Sequence, residues 1–142
     1  MGNYDDQNIF AKILRGEIPC HKVYEDEVAL AFMDVMPQGD GHTLVIPKRA
    51  KVRNVLEMDA DELAALIPRV QKVAKAVKQA FNADGVMLIQ YNEPAAGQTV
   101  FHPHFHVIPR FEGVPLKPHA GKMADQDLLK AHAAKVAAAL LR

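Results

Sequence analysis

The chain has few of the features that would assign it to a secreted, membrane or disulfide-stabilised class. Cys20 is the single cysteine among 142 residues, so no internal disulfide can form. No apolar run approaches the roughly 18 residues that a spanning helix needs, and residues 1–7 are polar, unlike a secretory signal. We therefore expect a cytoplasmic protein with no membrane span.

An excess of charge of either sign is also missing. Seventeen basic residues balance seventeen acidic ones, which gives a formal net charge of zero. This balance provides no broad basic surface for a nucleic acid polymer or an anionic membrane. A phosphate ligand would have to be held by local groups.

What the chain does contain is the pattern of one α+β domain over residues 1–142. Asp59 is placed to begin a long helix, and Pro68 should kink it. The apolar periodicity predicts helices over 7–15, 60–81 and 124–141, strands over 22–25, 28–34, 42–47, 86–91 and 98–108, and an irregular segment over 109–122. Five strands with short connections favour an antiparallel sheet, with the helices segregated from it.

The most specific pattern is three histidines at alternate positions, His102, His104 and His106. On a continuous strand, their imidazoles share one face about 7 Å apart. The opposite face would carry three apolar residues, Pro103, Phe105 and Val107.

Three interpretations of this motif remain open from the residues alone. The histidines could be ordinary polar residues of a strand, or alternate ligands of one zinc ion. They could also serve covalent catalysis, because neutral imidazole is a competent nucleophile toward phosphorus. The catalytic interpretation requires the His104 ring to face an open cleft, without a metal ion bound to it.

Other segments carry weaker signals. The small side chains of residues 95–97 allow close approach of a ligand to the backbone, and Gln98 and Thr99 then supply neutral donors. Asp34 follows an apolar strand, where its carboxylate could accept two ribose hydroxyls or could cap a turn. His42 alone fits a structural role. Five apolar residues could line a slot for a base or form plain core: Phe10, Ile13, Ile18, Phe32 and Val35.

Taken together, these segments resemble the histidine triad (HIT) family of nucleotidyl hydrolases and transferases. The resemblance rests on the histidine motif after Gly97-Gln98-Thr99-Val100, and it covers residues 8–110 in order. Two further segments match in the front half, 9–19 and 32–48. It implies a five-stranded antiparallel sheet that continues across a homodimer.

The resemblance also implies residue roles. His104 would be the nucleophile that attacks the α-phosphorus, with its Nδ1–H held by a backbone carbonyl. His102 and His106 would orient it and bind phosphate oxygens, and His42 would support them.

The remaining implied roles concern substrate binding. Gln98 and Thr99 would hold phosphate oxygens and Asp34 the ribose hydroxyls. Asn92 is the candidate for a further phosphate contact, although Tyr91 occupies that position at the longer family spacing. The base pocket would be formed by Phe10, Ile13, Ile18, Phe32 and Val35.

Two departures from the family pattern carry expectations. Relatives that bind structural zinc use an N-terminal Cys-x-x-Cys, and the matching stretch here, residues 8–11, has no cysteine. We therefore expect no such zinc, and the proposed chemistry needs no cofactor. Pro103 stands where aliphatic residues are usual, so a ladder hydrogen bond should be missing there.

The resulting hypothesis is a hydrolase that cleaves a purine nucleoside phosphoramidate or a related nucleotide conjugate. A dinucleoside polyphosphate is the rival substrate. The other hypotheses are a nucleotide-binding or signalling module with little turnover, and a metalloprotein that uses the three histidines as ligands.

Overall fold

A computed structural model describes residues 3–118 and 121–141. Its elements follow the chain as three α-helices and five strands, with two short 3-10 helices at Val55–Glu57 and Pro94–Ala96. The helices are α1 Ile9–Leu14, α2 Ala60–Ala80 and α3 Gln126–Leu140. The strands are β1 Lys22–Glu25, β2 Ala29–Met33, β3 Thr43–Pro47, β4 Gly85–Ile89 and β5 Phe105–Arg110.

The strands form one sheet in the order β1-β2-β3-β5-β4, and every neighbouring pair is antiparallel. The predicted α+β class is therefore confirmed. Asn8 lies in residues 8–11, where we expect no zinc site. Its side chain accepts a hydrogen bond from the Ala11 backbone N–H and so begins α1. None of the helices among the described residues has both the length and the apolar character needed to cross a bilayer.

Two apolar clusters lie on opposite faces of this sheet, because alternate residues of each strand point to opposite sides. In β2, Ala31 and Met33 join the larger cluster, whereas Leu30 and Phe32 join the smaller one. The long helices α2 and α3 cover the larger cluster. The smaller cluster includes Phe10 of α1.

Helix α2 begins after Asp59, as expected, but the Asp59 side chain makes no capping hydrogen bond. Acidic residues in its first turn still face the positive end of the helix dipole. The helix continues through Pro68 without interruption, and the kink expected there stays a prediction.

The predicted histidine strand is wrong at its start. Strand β5 begins at Phe105, so the chain from Gln98 to His104 lies outside the ladder. Pro103 has no N–H to donate, and pairing with β3 ends where Val45 meets Phe105. His106 therefore lies on the strand, opposite Leu44, while His102 and His104 lie on the segment that precedes it.

Candidate active site

His104 is held in one tautomer by its own chain. Its Nδ1 lies 2.6 Å from the backbone carbonyl of His102. A carbonyl can only accept, so Nδ1 carries the proton and the lone pair of the neutral ring is on Nε2. The structure thus contains the contact that leaves the lone pair of His104 on Nε2.

The ring of His104 is more enclosed than expected. The residue is 5% exposed, so the expected open cleft is wrong for this structure. The Phe10 ring lies against it edge-on, with centroids 4.9 Å apart, and the His106 ring lies at 5.1 Å. Helix α1 brings Phe10 to this side of the sheet, where it packs with the smaller apolar cluster.

His102 has both ring nitrogens turned toward protein groups. Its Nε2–H donates to the carbonyl of Pro47 at 3.0 Å, and its Nδ1 lies 2.8 Å from the hydroxyl of Tyr4. Burial lowers the pKa of His102 to about 4, against the opposing effect of the bond to Pro47. The ring is thus neutral at pH 7, and the Tyr4 hydroxyl is its hydrogen-bond donor.

His102 is 1% exposed and both of its ring nitrogens have protein partners, and its contact with phosphate stays a prediction. What His102 gives to the site is its backbone carbonyl, which orients His104. Sequence reasoning missed Tyr4, which lies 98 positions from His102 in a polar segment without a local pattern.

A hydrogen-bond chain also orders the third histidine. The backbone N–H of Gln38 donates to His42 Nδ1 at 3.0 Å, so the proton of the neutral His42 ring is on Nε2. His42 Nε2 lies 2.9 Å from His106 Nδ1, so the Nε2–H donates and His106 Nδ1 accepts the hydrogen bond. His106 consequently carries its proton on Nε2 and can act there as a donor. The supporting role expected of His42 has a geometric basis in this chain, although the role itself stays a prediction.

Within residues 3–118 and 121–141, one group of potential metal ligands lies close together, and it consists of Asp34, His42 and His106. It is not the set of three triad histidines that the metal hypothesis proposed. The Gln38 N–H uses the lone pair of His42 Nδ1, so the ring proton of His42 is on Nε2. A metal ion at Nε2 would have to displace this proton, which would leave an imidazolate. The geometry fits an ordered chain of hydrogen bonds better than a ligand set.

Asp34 lies beside this chain and also caps a turn. Its Oδ1 accepts from the Met36 N–H at 2.9 Å, and its Oδ2 lies 3.5 Å from His42 Nε2. The turn-capping interpretation is therefore confirmed. The ribose-binding role stays a prediction.

Gln98 is a structural residue in this fold. Its Nε2 donates to the carbonyls of Arg53 and Val100 at 2.7 and 3.0 Å. Its Oε1 accepts from the Glu93 N–H at 2.7 Å and from Asn54 Nδ2 at 3.1 Å. Both donors and both acceptor positions of the side chain are thereby used, and the contact of Gln98 with phosphate stays a prediction. Thr99, next to it, is exposed.

Asn92 and Tyr91 also lie near the triad strand but have different partners. Asn92 Nδ2 donates to Gln90 Oε1 at 2.7 Å, and Asn92 Oδ1 accepts from the Val55 N–H at 3.2 Å. The Tyr91 ring packs edge-on against His106, with centroids 5.6 Å apart. The choice between Tyr91 and Asn92 as a phosphate contact stays open.

The five residues predicted to line a base pocket do not all lie together. Phe10 and Phe32 are buried in the smaller cluster, and Ile13 packs against it. Val35 instead packs against the larger cluster on the opposite face, so its predicted place in the pocket is wrong. Ile18 is half-buried and belongs to neither cluster.

A second group of polar residues, which sequence reasoning missed, surrounds Gln98. Arg53 Nη2 and Nε lie 2.8 and 3.3 Å from the two carboxylate oxygens of Glu93, and Asn54 Nδ2 donates to Glu93 at 2.6 Å. The pKa of Glu93 is lowered by the hydrogen bond from Arg53. We call Arg53, Asn54, Glu93 and Gln98 the loop clamp.

The chain is similar in sequence and in fold to several known proteins. The family model of the HIT domain matches residues 15–113. An uncharacterized HIT-like protein of Methanocaldococcus jannaschii is 45% identical over 120 residues, which are 84% of this chain and 92% of that protein. The adenosine 5'-monophosphoramidase of Schizosaccharomyces pombe is 40% identical over 102 residues, 72% of this chain and 73% of the enzyme. The crystal structure of a HIT-like protein of Bartonella henselae superimposes with a TM-score of 0.89 at 52% identity, covering 96% of this chain and 98% of that one.

Proposed function

This chain belongs to the HIT family, and on that premise we propose that it hydrolyses a nucleoside phosphoramidate or a related nucleotide conjugate through a nucleotidyl intermediate on His104. The observation that carries the proposal is the 2.6 Å contact of His104 Nδ1 with the His102 carbonyl. This contact keeps the lone pair on Nε2, which is what an imidazole nucleophile requires.

The proposed reaction has two displacements. His104 Nε2 forms a bond to the α-phosphorus as the bond from phosphorus to the leaving amine breaks, and the amine departs with a proton taken from solvent, which the attacking water of the second step returns. The imidazole of the intermediate is cationic, and the His102 carbonyl on Nδ1 stabilises this charge. Water then attacks phosphorus, the bond to Nε2 breaks, and a nucleoside monophosphate is released.

His106 is proposed to donate to a phosphate oxygen during both steps. The chain from Gln38 through His42 places the His106 proton on Nε2, so the ring can donate to an anion without itself being charged. Because His104 is 5% exposed and packs against the Phe10 ring, we expect substrate binding to require rearrangement of the surrounding side chains. Phe10, on the short helix α1, is the packed neighbour whose movement we expect to matter most.

The remaining substrate contacts follow the family roles. We propose that Asp34 binds the ribose, that Thr99 and Asn92 hold phosphate oxygens, and that a purine packs on Phe10, Ile13 and Phe32. The named phosphoramidase of S. pombe supports a phosphoramidate as substrate. The cation of the loop clamp, Arg53, is paired with Glu93, so it is not available to neutralise a polyphosphate.

We further propose a cytoplasmic homodimer formed through β4. This strand lies at an edge of the sheet, and its residue Leu88 is 51% exposed. An apolar edge strand is a ready partner for a second copy. Size measurement in solution tests the dimer.

The deciding experiment compares turnover of adenosine 5'-phosphoramidate with that of diadenosine triphosphate. We expect the first to be preferred and His104→Ala to reduce its kcat by roughly 10³-fold or more, as expected when a covalent nucleophile is lost. His21→Ala is the matched control, because His21 lies on the surface, where it contacts Gln126. Preference for the dinucleotide would overturn the substrate, unchanged turnover by His104→Ala would overturn the mechanism, and AMP binding without turnover would favour the signalling module.

A further inference from the structure

The loop that precedes the triad holds a strained residue. Glu93 has φ 76° and ψ 157°, a conformation that glycine adopts readily and that other residues adopt only when their surroundings impose it. The side chain of Glu93 is fixed by Arg53 and Asn54, and its backbone N–H by Gln98. The loop clamp is therefore what imposes the strain.

The clamp reaches the triad by two routes. Gln98 also donates to the carbonyl of Val100, and the Arg53 guanidinium lies 4.3 Å from the centroid of the Phe101 ring, directly before His102. The carbonyl of His102 then holds His104. The loop clamp is thus connected to His104 by hydrogen bonds, one ring contact and the peptide bonds between residues 100 and 102.

The second route passes through Gly97. Its φ is 106°, and a Cβ at this position would lie 3.3 Å from the Tyr91 ring, so the loop backbone packs closely on that ring. Tyr91 in turn packs against His106. The loop therefore contacts the surroundings of both histidines that act in the proposed reaction.

We infer that Arg53 and Glu93 are positioning residues, whose ion pair holds the loop of residues 93–101 in the strained geometry that sets the orientation of His104. This inference rests on the proposed function. The pair is largely shielded, with side-chain exposures of 20% for Arg53 and 34% for Glu93. The guanidinium fork contacts both carboxylate oxygens, which fixes direction as well as charge.

The test uses Glu93→Gly, Glu93→Gln and Arg53→Gln. Glycine adopts the backbone conformation of Glu93 without strain but has no carboxylate. A loss of kcat in Glu93→Gly therefore reports the loss of the clamp and not added backbone strain. Arg69→Gln is the matched control, because Arg69 of α2 pairs at 2.9 Å with Asp26 in the turn between β1 and β2, with exposures of 24% and 16%. The substrate is adenosine 5'-phosphoramidate.

We expect Glu93→Gly and Arg53→Gln to lower kcat at least tenfold, since a misplaced catalytic group costs up to about 10²-fold, while KM changes less than threefold. Glu93→Gln keeps one oxygen acceptor but loses the charge of the pair and turns an amide N–H2 toward Arg53 or Asn54, so its kcat should also fall, by less than in Glu93→Gly. Arg69→Gln should leave kcat unchanged. Equal loss in Arg69→Gln, or kcat within twofold of the original in Glu93→Gly and Arg53→Gln, would overturn the inference.

A second measurement is independent of turnover. In the ligand-free protein, the imidazole proton on His104 Nδ1 should give a sharp NMR resonance because of its bond to the His102 carbonyl. We expect this resonance to broaden in Glu93→Gly but not in Arg69→Gln. If the unsubstituted protein does not turn over the phosphoramidate, the proposed function fails, yet selective broadening still supports the positioning role. An unchanged resonance in Glu93→Gly overturns that role.

Discussion

The two faces of the sheet use burial for different purposes. The face covered by α2 and α3 is filled with aliphatic side chains such as Val45, Val73 and Val107, all fully buried. The opposite face buries histidines as well as apolar residues, and hydrogen bonds at both ring nitrogens of His102 and His42 and at Nδ1 of His104 and His106 orient these rings. Aliphatic packing provides stability without direction, whereas buried polar groups need directed partners and so fix ring orientation.

The largest expected effect on stability comes from the aliphatic face. Leu66→Ala removes a fully buried side chain of α2 and should lower the free energy of unfolding by about 2–5 kcal/mol. The kcat of the folded fraction should not change, because Leu66 packs in the larger cluster, on the face of the sheet opposite the histidines. Urea unfolding and kinetics at a temperature below the transition check this prediction.

A matched exposed position sharpens that comparison. Ile67, the next residue on α2, is 43% exposed, so Ile67→Ala should cost well under half as much as Leu66→Ala. Similar costs at both positions would contradict the assignment of faces. A selective loss of kcat in Leu66→Ala would show that the two faces are coupled.

On the histidine face, the expected effect is on catalysis. His42→Asn breaks the bond to His106 Nδ1, so the His106 ring can adopt the other tautomer and lose its Nε2 donor. We expect kcat for adenosine 5'-phosphoramidate to fall about 10²-fold, as when one preorganised donor is lost. Measurement of kcat for this variant and for the control His21→Ala checks the prediction.

The outcome that would contradict this prediction is a large loss of stability with normal kcat per folded molecule. His42 would then be a buried structural histidine, the role that its sequence context alone favours.

These contrasts explain what the sequence could and could not predict. The continuous apolar runs of β2 and β3 are a local signal, and they predict both strands to within one residue at each end. The segment before β5 is held instead by Gln98, whose partners Arg53 and Asn54 lie 44 or more residues away. The contact of Tyr4 with His102 is likewise non-local, and no spacing rule indicates it. The motif identified the histidines, but their hydrogen-bond partners required the fold.

The buried neutral His102 predicts a pH dependence of stability. Its pKa falls from 6.5 to about 4 on folding, so the unfolded chain takes up this proton first as the pH is lowered. Stability should therefore decrease between pH 6.5 and pH 4 by about 3 kcal/mol, since a tenfold change in proton affinity is worth about 1.4 kcal/mol. Urea unfolding at intervals from pH 7.5 to pH 4.5 measures most of this decrease.

His102→Gln isolates the residue responsible, because glutamine keeps a donor but does not titrate in this range. We expect the variant to be less stable at pH 7 but to have a shallower pH dependence. A decrease as steep as in the original protein would assign the effect to other groups.

The smallest expected effect concerns Tyr4. Tyr4→Phe removes the hydroxyl from His102 Nδ1, and the loss of one hydrogen bond to a buried acceptor should cost about 1 kcal/mol at pH 7. Tyr24→Phe is the control, since it removes a bond of similar length, 2.7 Å, to Asp26. Both should lose stability, but only Tyr4→Phe should lower kcat, by a few-fold, because only Tyr4 is connected to His104, through His102. A kcat equal to that of Tyr24→Phe would mean that the His102 backbone holds its carbonyl in place without help from the ring.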